Sequence, residues 1–171
     1  MSGRVVEPTI SPFPDRLEGR SKIGINSVNV GGKMKRYERF YRYLDELLPG
    51  RRTYRRVESE PYMALVIERV DYCHPDEGNL LPAKSLCHYG EQNGDAMRDP
   101  EVVFTVDDDR REAIPRYFRN DYAGCEEFIH TDKRSPGLED FCETWFRNLR
   151  EQGFFEIDAE KSCTMRSDAL A

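Results

Sequence analysis

Residues 62–72 read YMALVIERVDY, and this stretch decides the fold because it is the strongest strand signal in the chain. Its centre is apolar and rich in β-branched side chains, which is typical of a strand that packs on a core. A polar strand candidate precedes it at 51–58, and others follow at 84–89, at 101–106 and once or twice within 113–130. The connections are too short for parallel crossovers, so the pattern predicts an antiparallel sheet of about five strands.

A helix pattern stands on each side of these strands. In residues 33–48 apolar and aromatic side chains recur at three- and four-residue steps, and a Pro-Gly pair ends the pattern. The same steps recur in residues 136–152, where Ser135 is the expected N-cap. The order helix, strands, helix predicts an α+β fold, with an N-terminal helix (33–48) and a C-terminal helix (136–152) packed on the sheet.

The composition limits the class of protein. The chain has 171 residues, of which 34% are charged and 11% aromatic, which suits a soluble domain and is too aromatic for a disordered chain. We predict an N-terminal arm at 1–32, a single α+β domain at 33–157 and a C-terminal tail at 158–171. No apolar run is long enough to span a membrane, and the first residues do not resemble a secretory signal. With five cysteines, an odd number, these features predict a cytoplasmic protein with free thiols.

The polar stretch 88–101, HYGEQNGDAMRDPE, is the first candidate for chemistry. We interpret it as one turn-rich connection whose side chains share a hollow beside the sheet. Carboxylates within it are candidate ligands for a divalent metal, the one cofactor that the sequence suggests; they are Asp95, Asp99 and Glu101. The candidate catalytic residues are His88, Asp95, Asp99, Glu101 and Asp121. The alternative is that these Asp and Asn side chains only stabilise turns by bonding to their own backbone.

Basic residues are concentrated between residues 33 and 56. This stretch holds nine basic and three acidic residues, a net charge of +6, so the rest of the chain carries −12. The candidate residues for binding a partner are Lys35, Arg36, Arg39, Arg42, Arg51, Arg52, Arg55 and Arg56. Such a surface could lie along the phosphates of a nucleic acid. It could also meet the acidic remainder, within the chain or in a homodimer, or form an ordinary solvated helix face.

Two further patterns involve histidine. The pairs Cys73-His74 and Cys87-His88 offer four zinc-type ligands, although adjacent side chains of a strand point to opposite faces. Farther along the chain, His130 could form an acid–base pair with Glu126 or Asp121 if these residues share a cleft. A charged surface strand explains the second pattern equally well.

Part of the chain resembles uncharacterised bacterial proteins. The stretch 88–101 and the later Asn120-Asp121 and Gly124 resemble a family, associated with bacteria and mobile elements, that carries an HYxxQNGDxMxDPE signature. The wider layout of 37–150, with a helix ending at Leu47-Leu48-Pro49 and Asp132-Lys133 before the last helix, is loosely similar to YqiB-like proteins of unknown function. These resemblances imply a bacterial or phage α+β domain and supply no activity.

Motifs for nucleophilic catalysis and for nucleotide binding are absent from the sequence. The sequence therefore favours a binding or accessory protein of a bacterial mobile element or phage. Its charge-segregated surface would engage a protein or a nucleic acid. The alternative is a metal-dependent hydrolase that uses the His, Asp and Glu side chains of 88–101, and the sequence leaves open whether the protein is an enzyme.

Overall fold

The computed structural model describes residues 34–156, and within them the chain forms two helices and one six-stranded sheet. The elements in chain order are α1 (Arg36–Leu47), β1 (Tyr54–Val57), β2 (Leu65–Cys73), β3 (Leu80–Gln92), β4 (Asp95–Asp107), β5 (Glu112–Asn120), β6 (Cys125–Phe128) and α2 (Pro136–Glu151). Each strand pairs antiparallel with its neighbour in the chain, in the order β1-β2-β3-β4-β5-β6.

This architecture confirms the predicted α+β fold with a helix at each end of the sheet-forming segment. The sheet has six strands because the segment 113–130 supplies two, separated at the predicted break near Asn120 and Asp121. The predicted arm at 1–32 and tail at 158–171 lie outside the described residues. In the described part of the chain, neither helix has the length and apolar character needed to cross a bilayer.

The two helices cover one face of the sheet with their apolar stripes. Phe40 of α1, Phe104 of β4 and Phe146 of α2 form a triangle in which the ring centroids are 5.6–5.9 Å apart. All three side chains are almost completely buried. Burying one such side chain stabilises a fold by roughly 1.5–3 kcal/mol, so this aromatic triangle holds the two layers together.

A buried carboxylate joins the two helices to each other. Glu139 in the first turn of α2 accepts hydrogen bonds from Arg36 (3.0 Å), Tyr37 (2.6 Å) and Arg134 (2.6 Å). Its side chain is only 2% exposed. A buried charge is tolerated only when it is paired and hydrogen-bonded, and here one oxygen accepts from Tyr37 while both face guanidinium groups.

The other face of the sheet carries a smaller core and is strongly curved. Tyr72, Ala83 and Val103 are buried together there. The hydroxyl of Tyr72 lies 3.0 Å from the carbonyl oxygen of Arg116 and 3.1 Å from that of Ile129. Tyr72 is in β2 and Arg116 is in β5, three strand spacings away, or about 14 Å in a flat sheet. The contact therefore requires the sheet to curl toward this face.

The prediction that 88–101 is a single connection is wrong. These residues lie mostly in β3 and β4, which are joined by a two-residue turn at Asn93 and Gly94. Both turn residues have positive φ, 56° and 88°, as a tight hairpin turn between twisted strands requires. Pairing passes from Cys87↔Glu101 to Tyr89↔Arg98, so β4 carries a bulge at Asp99 and Pro100. Proline lacks an N–H group and is accommodated in a strand at such a bulge.

Candidate functional site

His88 lies in the core between the sheet and α2. Its ring centroid is 5.8 Å from that of Trp145 and 5.4 Å from that of Phe154, and its Nδ1 atom is 3.2 Å from the carbonyl oxygen of Ala64. The side chain is buried. Burial lowers the pKa of His88, which keeps the imidazole neutral. His88 therefore acts as a packing residue in this structure.

The carboxylates of the hairpin do not gather around one point. Asp95 is exposed beside the turn. Asp99 accepts a hydrogen bond from the side-chain amide of Asn120 (2.8 Å), which ties the bulge of β4 to the end of β5. Glu101 accepts a hydrogen bond from the hydroxyl of Ser85 on the neighbouring strand (2.9 Å). Each carboxylate of this set thus has its own environment.

Glu101 and Asp121 are brought together by an arginine. The Nε atom of Arg98 lies 2.8 Å from Glu101, and the backbone N–H of Arg98 donates to Asp121 (2.9 Å). Asp121 also accepts from Arg119 (2.5 Å). The backbone N–H of Arg98, followed by Arg119, lowers the pKa of Asp121, so this carboxylate is ionised. The arrangement is an ion-pair network at the edge of the hairpin.

Of the five predicted catalytic residues, the structure therefore brings only Glu101 and Asp121 to a common partner, Arg98. Within residues 34–156, Asp95, Asp99 and Glu101 do not form a group of three converging metal ligands. His88 projects toward the helices, whereas Glu101 meets Ser85 on the opposite face of the sheet. The hairpin uses its polar residues for turn geometry and ion pairs.

The helical half of the basic stretch is neutralised by acidic residues. Arg36 pairs with Asp140 (2.9 Å) and Glu143 (3.1 Å) of α2 besides Glu139, and Arg39 also pairs with Glu143. A second group stays at the surface of α1, where Arg42 contacts Glu46 (3.7 Å) and Lys35 is exposed at the N-cap. Most of the charge of α1 is thus matched by acidic residues of the same chain, one of the alternatives that the sequence left open.

Arg55 has a structural position at the end of α1. Its Nη1 atom donates to the carbonyl oxygen of Leu47 (2.9 Å), one of the carbonyl groups that the end of a helix leaves without a partner. Burial, together with the positive charge of Arg52, lowers the pKa of Arg55. Arg55 therefore stabilises the helix terminus and the entry to β1.

The remaining arginines lie with Tyr54 at the β1 edge of the sheet that the described residues form, and we call this group the arginine edge. Its members are Arg51, Arg52, Tyr54, Arg56 and Arg69. Strand β1 is the first strand of the sheet, and the ring of Tyr54 is 56% exposed there between arginines. The guanidinium of Arg69 donates to the carbonyl oxygens of Gly50 (2.7 Å) and Arg52 (3.0 Å). This contact fixes the 50–52 turn beside β1.

His130 contacts residues other than the partners that the sequence suggested. Its Nδ1 atom is 3.1 Å from Glu77, and its ring is stacked on that of His74 with a centroid distance of 3.8 Å. Strand β6 ends at Phe128, so His130 lies in the loop after the strand and does not share a strand face with Glu126. The zinc interpretation of Cys87-His88 with Cys73-His74 also fails, because Cys87 pairs with Val66 whereas Cys73 pairs with Leu80 at the far end of β3.

The sequence analysis named His74 and His130 but did not bring them together, and it did not single out Glu77 or Arg69. The contact of His74 with His130 depends on the curl of the sheet, which no local pattern reveals. The contact of Glu77 with His130 depends on the same curl. Arg69 lies in the strand predicted at 62–72, and only its pairing register places it beside Arg52. Ligand-type residues at the end of β2 and after β6 were the signal for the histidine contact.

A family model described as a domain of unknown function (DUF6908) matches residues 35–155. The match covers both helices and the whole sheet. No curated protein and no solved structure gives a match to this chain.

Proposed function

The chain belongs to the DUF6908 family, a domain of unknown function, and we propose that it is a binding protein that holds a single-stranded nucleic acid on its arginine edge. The observation that carries this proposal is the exposed ring of Tyr54 between Arg52 and Arg56 on an edge strand. A cationic groove with interleaved aromatic rings is the arrangement that proteins use to bind single strands.

The charge of the arginine edge is available to a ligand. Arg51 and Arg52 are exposed and have no carboxylate partner among the described residues. Arg56 contacts Glu58 at 3.1 Å, but both side chains are mostly exposed. An exposed pair of this kind contributes about 0–1 kcal/mol, so a phosphate can replace the carboxylate at little cost.

Tyr54 adds an aromatic ring on which a base can stack, which the charged side chains alone do not provide. Its ring has no aromatic partner among residues 34–156, and more than half of its surface faces water. Stacking of a base on an aromatic ring is worth about 1–3 kcal/mol and does not depend strongly on the base. Tyr54 and Arg56 alternate with the inward residues Arg55 and Val57, so the ring and the charge project from the same side of β1.

An acidic protein is the other partner that this surface would suit. The interleaved aromatic ring favours a nucleic acid. The bases of a strand offer flat faces that stack on the ring, and its phosphates recur at regular intervals. The chain as a whole carries a charge of −6, so the rest of the surface repels a polyanion and directs it to the arginine edge. The proposal is therefore local to this edge.

A metal-dependent hydrolase at 88–101 has less support from the geometry. Its candidate base, His88, is buried among aromatic rings, and Asp95 is exposed beside the turn. The other three candidate carboxylates contact Ser85, Arg98, Arg119 and Asn120. The cytoplasmic location and the association with a bacterial mobile element or phage stay predictions from the sequence.

The test is binding of a labelled oligothymidylate, followed by fluorescence anisotropy at low salt. We expect Tyr54→Ala to weaken binding about 5- to 100-fold, as loss of one stacked base implies. We expect the double variant Arg51→Ser/Arg52→Ser to weaken it about tenfold or more, because two phosphate contacts are lost.

The matched control is the double variant Arg110→Ser/Arg147→Ser. It removes the same charge from two exposed arginines of the β4–β5 turn and of α2. We expect less than a twofold effect on binding. Equal weakening by both double variants would show that only the total charge matters, which would contradict a site at the arginine edge. Binding of an acidic peptide, with no binding of the oligonucleotide, would show that the arginine edge binds a protein.

A further inference from the structure

Three hydrogen bonds with Arg116 hold the loop that follows β6. The buried guanidinium of Arg116 donates to the carbonyl oxygens of His130 (2.8 Å) and Lys133 (2.7 Å). The backbone N–H of Ile129 donates to the carbonyl oxygen of Arg116 (2.8 Å). Pairing passes from Val103↔Tyr117 to Phe104↔Pro115, so Arg116 is the extra residue of a β-bulge. Bulges often redirect a side chain toward a functional position, and this one directs Arg116 at the loop.

Glu77 holds His130 in one orientation. One of its carboxylate oxygens accepts the backbone N–H of Thr131 (2.8 Å) and lies 3.1 Å from Nδ1 of His130. A carboxylate oxygen at this distance accepts a hydrogen bond from the Nδ1–H group of His130, which leaves the lone pair of the ring at Nε2. That atom lies 4.0 Å from the carboxylate of Asp76.

His74 and Asp76 complete the arrangement from the end of β2. The imidazole of His74 is buried and stacked on that of His130 at 3.8 Å, and the ring of Phe128 meets its edge. Ligand atoms of His74, Asp76 and His130 all lie within 4.8 Å of one another.

We propose that His74, Asp76 and His130 bind a divalent transition-metal ion, with Glu77 as the carboxylate that orients His130. Two imidazoles and one carboxylate are the donors that zinc and its neighbours prefer, whereas Mg²⁺ and Ca²⁺ prefer oxygen alone. A histidine ligand commonly donates its other ring N–H to a carboxylate, which is the relation of His130 to Glu77. Three protein ligands leave a fourth position for water or a substrate.

The charge around the cluster also favours a cation. Asp76, Glu77 and Asp132 bring three carboxylates to this site, and Arg116 is the positive side chain that packs beneath the loop. With neutral imidazoles the net charge of these four groups is −2. A divalent ion would neutralise it.

Ion binding requires a small rearrangement of the 74–77 turn. Ligand atoms around zinc are roughly 3.3 Å apart for metal–ligand distances near 2.0–2.1 Å, so the present spacing must contract. The Nδ1 atom of His74 now accepts the backbone N–H of Asp76 (3.1 Å). Coordination by His74 opens this hydrogen bond, and the exposed Asp76 side chain is free to swing inward.

The test is titration of the full chain with Zn²⁺ by calorimetry and with Co²⁺ by visible absorption. We expect one ion per chain and a cobalt spectrum without thiolate-to-metal charge transfer. Asp76→Asn is expected to weaken binding at least tenfold without altering the fold, because the side chain is exposed. Glu77→Gln is expected to weaken it about 10- to 100-fold, as for other carboxylates that orient a histidine ligand.

The control is Asp109→Asn, which removes one exposed carboxylate from the β4–β5 turn and is expected to leave the affinity unchanged. His130→Gln is expected to abolish the site, with circular dichroism to confirm that the sheet persists. A thiolate charge-transfer band would assign the ion to cysteine, and that result would overturn the proposal. So would equal affinity of Asp76→Asn and Asp109→Asn, or the absence of any binding heat.

Discussion

Replacement of Phe146 by alanine is expected to lower the free energy of unfolding by about 3–5 kcal/mol, the range for loss of a large buried aromatic side chain. The ring of Phe146 is 1% exposed and lies within 6 Å of the rings of Phe40, Tyr43 and Phe104. Its removal opens a cavity where α1, α2 and the sheet meet. Urea denaturation at neutral pH measures the change.

The control for this prediction is Leu80→Ala. Leu80 is also apolar, but its side chain is 70% exposed at the start of β3, so we expect a change of no more than about 0.5 kcal/mol. The two variants should have the same slope of free energy against urea. A loss below about 1 kcal/mol for Phe146→Ala would contradict the packing of the two helices described above.

Replacement of Glu139 by glutamine is expected to cost about 2–3 kcal/mol at pH 7. Removing one partner of a buried ion pair usually costs about 3–5 kcal/mol, because the other charge is left unpaired. The cost here is lower because Arg36 is 30% exposed and Arg134 is 64% exposed, so both guanidinium groups can turn to water. Glutamine keeps one oxygen that can accept from Tyr37, but its N–H2 group then faces a guanidinium group that an oxygen faced before.

We expect the loss of stability in Glu139→Gln to depend on pH. Burial, the largest single influence, raises the pKa of Glu139, but the hydrogen bonds from Arg134, Tyr37 and Arg36 together lower it below its ordinary value. The carboxylate therefore stabilises the fold above the pKa that it has in the unfolded chain, about 4.3, and this stabilisation is lost as the pH falls through the lower folded value. The difference between wild type and Glu139→Gln should shrink below about pH 4.

Urea denaturation of both proteins between pH 7 and pH 3 checks this, with Asp140→Asn as the control. Asp140 pairs with the same Arg36 on the same helix, but it is 64% exposed, so we expect a loss of no more than about 1 kcal/mol. A Glu139→Gln protein that is as stable as Asp140→Asn at every pH would show that the buried network does not stabilise the helix pair.

The sequence was sufficient for the elements whose periodicity is regular. The stripes of α1 and α2 and the apolar run of β2 predicted all three elements, because each packs one continuous face on the core. The hairpin at 88–101 was missed because Pro100 and Gly90 look like turn residues, whereas both lie within strands. Within this stretch only the Asn93-Gly94 pair forms the turn, and the bulge in β4 accommodates Pro100.

The candidate sites were harder to predict than the fold. The charge count found the basic stretch, but only the packing of α1 on α2 shows that Arg36 and Arg39 are paired and that Arg51 and Arg52 are left at the edge. The cluster of His74 and His130 depends on the curl of the sheet, which is a property of all six strands together. Local spacing cannot encode a contact of that kind.

The most direct measurement for the proposed function is the salt dependence of oligothymidylate binding by the wild-type chain. Each phosphate contact adds about 0.7 to the negative slope of log K against log salt concentration for a single strand. Contacts from Arg51, Arg52 and Arg56 therefore predict a slope of about −2. A slope near zero, or no binding at the lowest salt concentration, would contradict the assignment of the arginine edge to a nucleic acid.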